Sequence, residues 1–279
     1  MTYKAHPLSL VMKALVWISA ALSVAVFVTL VGYVLIKGVP YLSLSLFAFE
    51  GSTSEVSILA SIVNTLKMVL IALLVAAPLG VGCSVYLVEY AKKGSRVVKL
   101  AELAAQTLSG IPSIIYGIFG NMFFVTSLGW RLSLLSGAFT LAIMILPIII
   151  TSSQEALKSV NDSYREGAFG LGAGKLRTVF KVVLPSAISG IISGIILSIG
   201  RIVGETAALI FTAGTITKLA SLTDSGSTLA VQMYNLSTEG LHMNEASAAA
   251  VVLLITVIAL NSASSFIGKR IKKSGAEVN

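Results

Sequence analysis

The chain has 279 residues, of which 56% are hydrophobic and only 11% charged, and its mean hydropathy is +0.92. Charged residues make up about a quarter of an ordinary soluble domain, so a soluble globular protein is excluded. Its net charge of +8 suits the inner face of a membrane better than nucleic acid, while one cysteine, Cys83, and two separated histidines, His6 and His242, exclude an internal disulfide and a histidine-based metal centre.

Six apolar stretches reach the roughly 20 residues that cross ~30 Å of hydrocarbon as a helix. They are residues 14–36, 62–88, 103–125, 134–151, 187–213 and 246–267. In lipid the backbone must satisfy its own hydrogen bonds, so the spans are helices and the fold is an all-α membrane bundle. The first stretch follows Lys4 and Lys13 as a signal peptide would, but its apolar core is too long for a cleaved segment and it is kept as a span.

With the N-terminus inside, the inner segments hold Lys4, Lys13, Lys92, Lys93, Arg96, Lys99, Lys158, Arg165, Lys175, Arg177, Lys181, Lys269, Arg270, Lys272 and Lys273. The outer segments hold only Lys37, Arg131 and Lys218. That asymmetry places both termini in the cytoplasm. The chain divides into residues 1–58 (inner segment, first span and outer loop), a core of 59–268, and a basic tail of 269–279 that anchors near anionic lipid.

In chain order, Lys67 sits one turn into the second span and snorkels to the outer headgroups, while Asn64 and Thr65 beside it either cap a helix or touch substrate. Pro78, Pro112 and Pro147 lie inside spans and should kink or interrupt them. Tyr116 either packs or lines a pathway at a kinked third span, and Arg131 is interfacial. On the fifth span Gly190 with Gly194, and Gly200 with Gly204, permit close helix approach. The outer loop 214–245, with Asp224, Glu239 and Glu245, is a docking surface for an outer partner.

The inner segment 152–186 is far longer than the 2–8 residues a bundle connection needs. Asn161 or Asp162 can cap a first short helix, Gly170 and Gly172 supply a break, and residues 175–183 form a second helix ending before Pro185. A nucleotide-loop reading of Gly174-Lys175 fails, because Phe169 stands where the first glycine belongs and Leu176 where Ser or Thr must reach magnesium. No cofactor site and no grouped nucleophile, base and orienter are evident, so any ATP is hydrolysed by another chain.

Arg201 and Glu205 lie about a turn apart in an apolar span. A charge at mid-bilayer costs about 2.5–3.5 kcal/mol on insertion scales, so it needs a role. The guanidinium offers forked donors that match an oxyanion, with Glu205 partly neutralising it; the competing role is an ion pair that only fastens helices.

Glu166-Gly167-Ala168, then Gly172 after three residues and Val182-Val183-Leu184-Pro185 after nine more, resembles the EAA loop (E-A-A-x3-G-x9-I-x-L-P) of ABC importer permeases. Gly167 for Ala and Val182 for Ile are the departures. Further runs, Asn64-Thr65-Leu66, Pro78-Leu79-Gly80, Tyr86 to Tyr90, Gly110-Ile111-Pro112-Ser113-Ile114-Ile115-Tyr116-Gly117, and Gly200 to Thr206, are similar to the PstA type of phosphate importer permease, with the PstC type sharing much of them. The resemblance implies a MetI-like type I permease in a bacterial or archaeal cytoplasmic membrane. It also implies a PstC-like sister permease, a PstB-like ATPase dimer and a PstS-like phosphate-binding protein outside. Glu166, Gly167, Ala168, Gly172, Leu184 and Pro185 would then couple to the ATPase, and Arg201, Glu205 and Thr206 would lie on the substrate pathway. Permeases for sulfate or molybdate, and a self-contained secondary transporter, are the alternatives.

Overall fold

The computed structural model describes residues 7–48, 56–92, 94–240 and 242–276; Lys4, His6 and Lys93 lie outside them. Eleven α-helices are found among those residues: α1 (Pro7–Gly38), α2 (Leu59–Val85), α3 (Arg96–Ser109), α4 (Ser113–Gly120), α5 (Leu134–Lys158), α6 (Asp162–Gly170), α7 (Lys175–Thr178), α8 (Leu184–Val203), α9 (Ala207–Thr212), α10 (Leu229–Glu239) and α11 (Met243–Ala276). Five helical segments are long and apolar enough to cross a membrane, and α3 with α4 makes a sixth, bent by 102°.

The central helix is α5, buried along most of its length against α2 on one side and α8 on the other. Met68, Ala72, Leu141, Ile145, Ile149, Ile199 and Leu209 form the main core around it. Backbone approach is set by small residues. A Cβ at Gly190 would come 2.5 Å from that of Ala156, and one at Gly194 would collide with Ser152. The Gly190 and Gly194 pair therefore seats α8 on α5, whereas Gly200 faces open space and the second pair makes no crossing. On the other side Gly80 of α2 lies against Ile149. By contrast, the most apolar 18-residue window of α1 is unburied, leaving its side chains to lipid or a partner.

The prolines act differently from one another. Helices α2 and α5 run through Pro78 and Pro147 without a break. Pro112 does break the third stretch, so residues 103–125 are two helices rather than one continuous helix. Having no N–H, Pro112 cannot bond the Leu108 carbonyl, which accepts the Ile111 N–H at 3.1 Å and the Tyr116 hydroxyl at 2.8 Å. Tyr116 is thus a buried part of the hinge.

The cytoplasmic pair also departs from expectation. Asn161, rather than Asp162, caps α6, its Oδ1 accepting the Ser163 N–H at 3.0 Å. No helix ends before Pro185: α7 passes through a π-helical stretch at Val179–Val183 straight into α8. The wider turn accommodates the proline, which sits in the first turn of α8.

Candidate substrate pathway and coupling surface

At the outer end, the loop after α9 is folded onto the bundle rather than left free. Asn64, fully buried, donates from Nδ2 to the carbonyls of Lys218 (2.8 Å) and Ser227 (3.2 Å) and accepts the Ala220 N–H (3.2 Å). Thr65 accepts the Leu229 N–H at 3.0 Å and so helps cap α10, while Lys67 donates to the Ala220 carbonyl at 2.8 Å. Lys67 therefore grips a loop carbonyl instead of extending to headgroups, and none of the three acts as the cap of α2, which begins at Leu59. The loop also serves α5, whose first N–H groups at Leu134 and Leu135 donate to the Asp224 and Leu222 carbonyls at 3.0 and 2.9 Å. Ser221 donates to the exposed Asp224 carboxylate from its hydroxyl and its N–H, holding that carboxyl below the ordinary range. Asn64→Ala orphans buried backbone groups of this loop at about 1–3 kcal/mol each, and a lowered Tm of the purified chain checks it.

The fifth stretch is interrupted where its charges lie. Helix α8 ends at Val203, Gly204 to Thr206 turn, and α9 begins at Ala207, so residues 187–213 are not one helix. The break separates Arg201 from Glu205. The buried Glu205 carboxylate turns forward and accepts the Ala208 N–H at 3.1 Å, an N-terminal cap for α9. No ion pair within 4.0 Å links it to Arg201, so the direct pair that would fasten helices is not formed. Among the described residues Arg201 finds no hydrogen-bond acceptor, and its Nε is buried without a partner. It lies within electrostatic range of Tyr116 at the α3–α4 hinge. Thr206 follows on the turn, half-buried.

At the inner end, α6 and α7 meet at Gly172, whose φ of +81° is the left-handed conformation glycine adopts most readily. The Gly172 and Ala173 N–H groups donate back to the Phe169 and Ala168 carbonyls at 2.9 and 3.0 Å, closing α6. Glu166, Gly167 and Gly172 are exposed and Ala168 half-buried, while Leu184 and Pro185 open α8. Leu171 is 91% exposed, and Tyr164, Phe169 and Leu176 add apolar surface around it. A groove of about 400 Å³ runs between Tyr164, Gly167, Ala168, Leu171, Arg177 and Lys181. A Cβ at Gly167 would meet nothing within 4 Å. Gly167→Ala should therefore stabilise α6 by about 0.5–1 kcal/mol, visible as slower amide exchange there.

Arg165 is the side chain whose contacts sequence reading missed, having entered only as one of the inner charges. All five of its N–H donors are used: Nε and Nη2 to Glu89 (3.2 and 2.7 Å), Nη2 to the Leu157 carbonyl (3.0 Å), and Nη1 to the Val160 carbonyl (2.8 Å) and Asp162 (3.0 Å). Glu89 lies in the π-helical end of α2, 76 positions away. The arginine immediately before the motif glutamate was the only local hint.

Both the sequence and the overall fold match known proteins. Residues 76–274 match the model of the family described as binding-protein-dependent transport system inner membrane component. The chain belongs to that family. It is 33% identical over 273 residues to the probable ABC transporter permease protein YqgI of Bacillus subtilis, covering 91% of this chain and 92% of that one. It is 35% identical to the phosphate transport system permease protein PstA of Pasteurella multocida, covering 63% of each. The PstA homolog of Mycoplasma pneumoniae is 36% identical over 72% of this chain and 33% of its own length. Among solved structures, the inward-facing MetNI methionine ABC transporter aligns with TM-score 0.60 at 18% identity over 76% of this chain and 93% of that one. A bacterial ABC transporter that imports alginate aligns at 0.59 and 16% identity over 92% and 96%. The protein is thus a multi-pass, MetI-type importer permease of the cytoplasmic membrane. A permease of this family works with an ATPase, a substrate-binding protein and a sister permease.

Proposed function

We propose that this chain is one of two permease subunits through which an ABC importer moves inorganic phosphate into the cell, with Arg201 on the pathway. The observation that carries the reading is a guanidinium whose Nε is buried in the bundle and which has no hydrogen-bond or ion-pair partner among the described residues. An arginine placed there is costly unless it meets an anion, and its forked N–H groups match two oxygens of a phosphate. Glu205, one helix break away and committed to α9, lowers the charge of the neighbourhood without occupying the donors. A single cation offset in this way favours passage over capture. Relatives named PstA support phosphate over other anions.

The exposed turn around Glu166, Gly167, Ala168 and Gly172, continued through Leu184 and Pro185 into α8, is the surface for a PstB-like ATPase dimer. Its apolar residues fit burial in a partner, and the unbroken path from α7 to α8 leads from that surface to Arg201. A PstC-like permease completes the pathway, and a PstS-like protein delivers phosphate to the outer face.

The test is labelled-phosphate uptake by proteoliposomes holding both permeases and the ATPase, with binding protein outside, ATP inside and sulfate as competitor. ATP-dependent uptake that sulfate leaves unchanged is the expected result. Inhibition by sulfate would make the substrate a broader class of oxyanion, and uptake without ATP would remove the importer reading.

A further inference from the structure

Two arginines in this chain have opposite circumstances, and the second of them has no part in substrate passage. Arg201 has no partner, whereas Arg165 has every donor taken. The Arg165 and Glu89 side chains are 15% and 8% exposed, so this is a mostly buried ion pair, with two guanidinium donors converging on one Glu89 oxygen, rather than a surface contact. Its acceptors come from three different places. Glu89 belongs to the inner end of α2; the Leu157 carbonyl belongs to the last turn of α5; Val160 and Asp162 belong to the turn into α6 and its first residue. Helices α2 and α5 are also the pair most tightly packed in the core, joined at Gly80 and Ile149.

We infer that Arg165 is a positioning residue that makes α6 move as one piece with the inner ends of α2 and α5. This inference rests on the coupling role proposed above for α6. Along the chain, a force delivered to α6 reaches α5 through the short turn 159–161, and α8 through Gly172 and α7, a route that contains a glycine bend and a π-helical turn. The Arg165 clamp adds a direct side-chain link to the inner end of α2 and to the last turn of α5. A neutral side chain at 165 leaves Glu89 without its charged partner and the Leu157 carbonyl without its donor, so α6 is free to shift without carrying α2. Lysine, with a point charge and three donors, cannot hold the same fork and restores only part of the link.

The experiment measures phosphate uptake and ATP hydrolysis in the same proteoliposomes of the complete importer, for Arg165→Gln, Arg165→Lys and Glu89→Gln. A Leu171→Cys substitution in each background reports ATPase contact by cross-linking. The expected result is that cross-linking and hydrolysis persist in Arg165→Gln while phosphate moved per ATP falls at least about tenfold, with Arg165→Lys intermediate. Should Arg165→Gln fail to assemble, Glu89→Gln decides, because it leaves the carbonyl bonds of Arg165 in place; a fall in phosphate per ATP supports the clamp. Cross-linking retained with an unchanged ratio in the assembled variants overturns the inference alone. Absence of cross-linking in the Leu171→Cys complex with Arg165 and Glu89 intact overturns the coupling role of α6 and this inference with it.

Discussion

Arg201→Gln is expected to abolish phosphate uptake by the assembled importer while leaving the complex intact on purification. The two halves of that expectation have separate physical grounds. Hydrogen bonds from a charged donor are worth about 1.5–3 kcal/mol each, so losing a bidentate contact costs about 3 kcal/mol or more, over a hundredfold in rate. Folding should not suffer, because Arg201 holds no acceptor in the protein and its removal orphans nothing. Removing an unpaired charge from the bundle relieves a cost instead. Uptake and thermal unfolding of the same preparation check both halves. Uptake within twofold of the unsubstituted protein would show that phosphate does not use this guanidinium, and a complex that falls apart would assign Arg201 to assembly.

Gly117→Val is expected to damage the bundle itself. A Cβ at 117 would stand 2.7 Å from the Ala208 Cα, 3.1 Å from the Ala208 carbonyl oxygen and 3.3 Å from that of Ala207. These are backbone atoms of α9, which cannot swing aside as the tip of a side chain would. Overpacking of this kind costs about 1–3 kcal/mol, and more where backbone must move. Helices α4 and α9 would be forced apart, carrying Tyr116 from the Leu108 carbonyl on one side and disturbing the Glu205 cap on the other. The setting of Arg201 lies between them. Lower yield, a Tm reduced by several degrees and reduced uptake are the combined signature. An unchanged Tm would mean that α4 and α9 are less closely held than the structure shows.

The legible part of the molecule was what a one-dimensional pattern can carry. Apolar length marked the spans, the positions of Lys and Arg set their orientation, and the spacing from Glu166 to Pro185 marked the inner turn, because each depends on neighbours along the chain. Gly172 was readable as a bend for the same reason, since its φ of +81° selects glycine locally. Pro112 was harder. Three prolines looked alike in sequence, yet only Pro112 breaks its helix, close after a glycine at 110 and with the Ile111 N–H and the Tyr116 hydroxyl both on the Leu108 carbonyl. The one-turn spacing of Arg201 and Glu205 misled because it presumes a continuous helix, and Gly204 to Thr206 end it.

The sequence by itself determined that this is a helical membrane protein of the importer permease family, with its termini inside and a glycine-bent inner turn. Hydrophobic transfer and charge asymmetry need no knowledge of contacts. Tertiary structure alone decided which charged and polar side chains are occupied and which remain open. Asn64 is tied to Lys218, 154 positions away, and Arg165 to Glu89, 76 away. Arg201 keeps its donors because the break after Val203 turns Glu205 toward Ala208. Such pairings depend on which residues a fold brings within about 3 Å of one another, a distance that spacing along the chain does not encode.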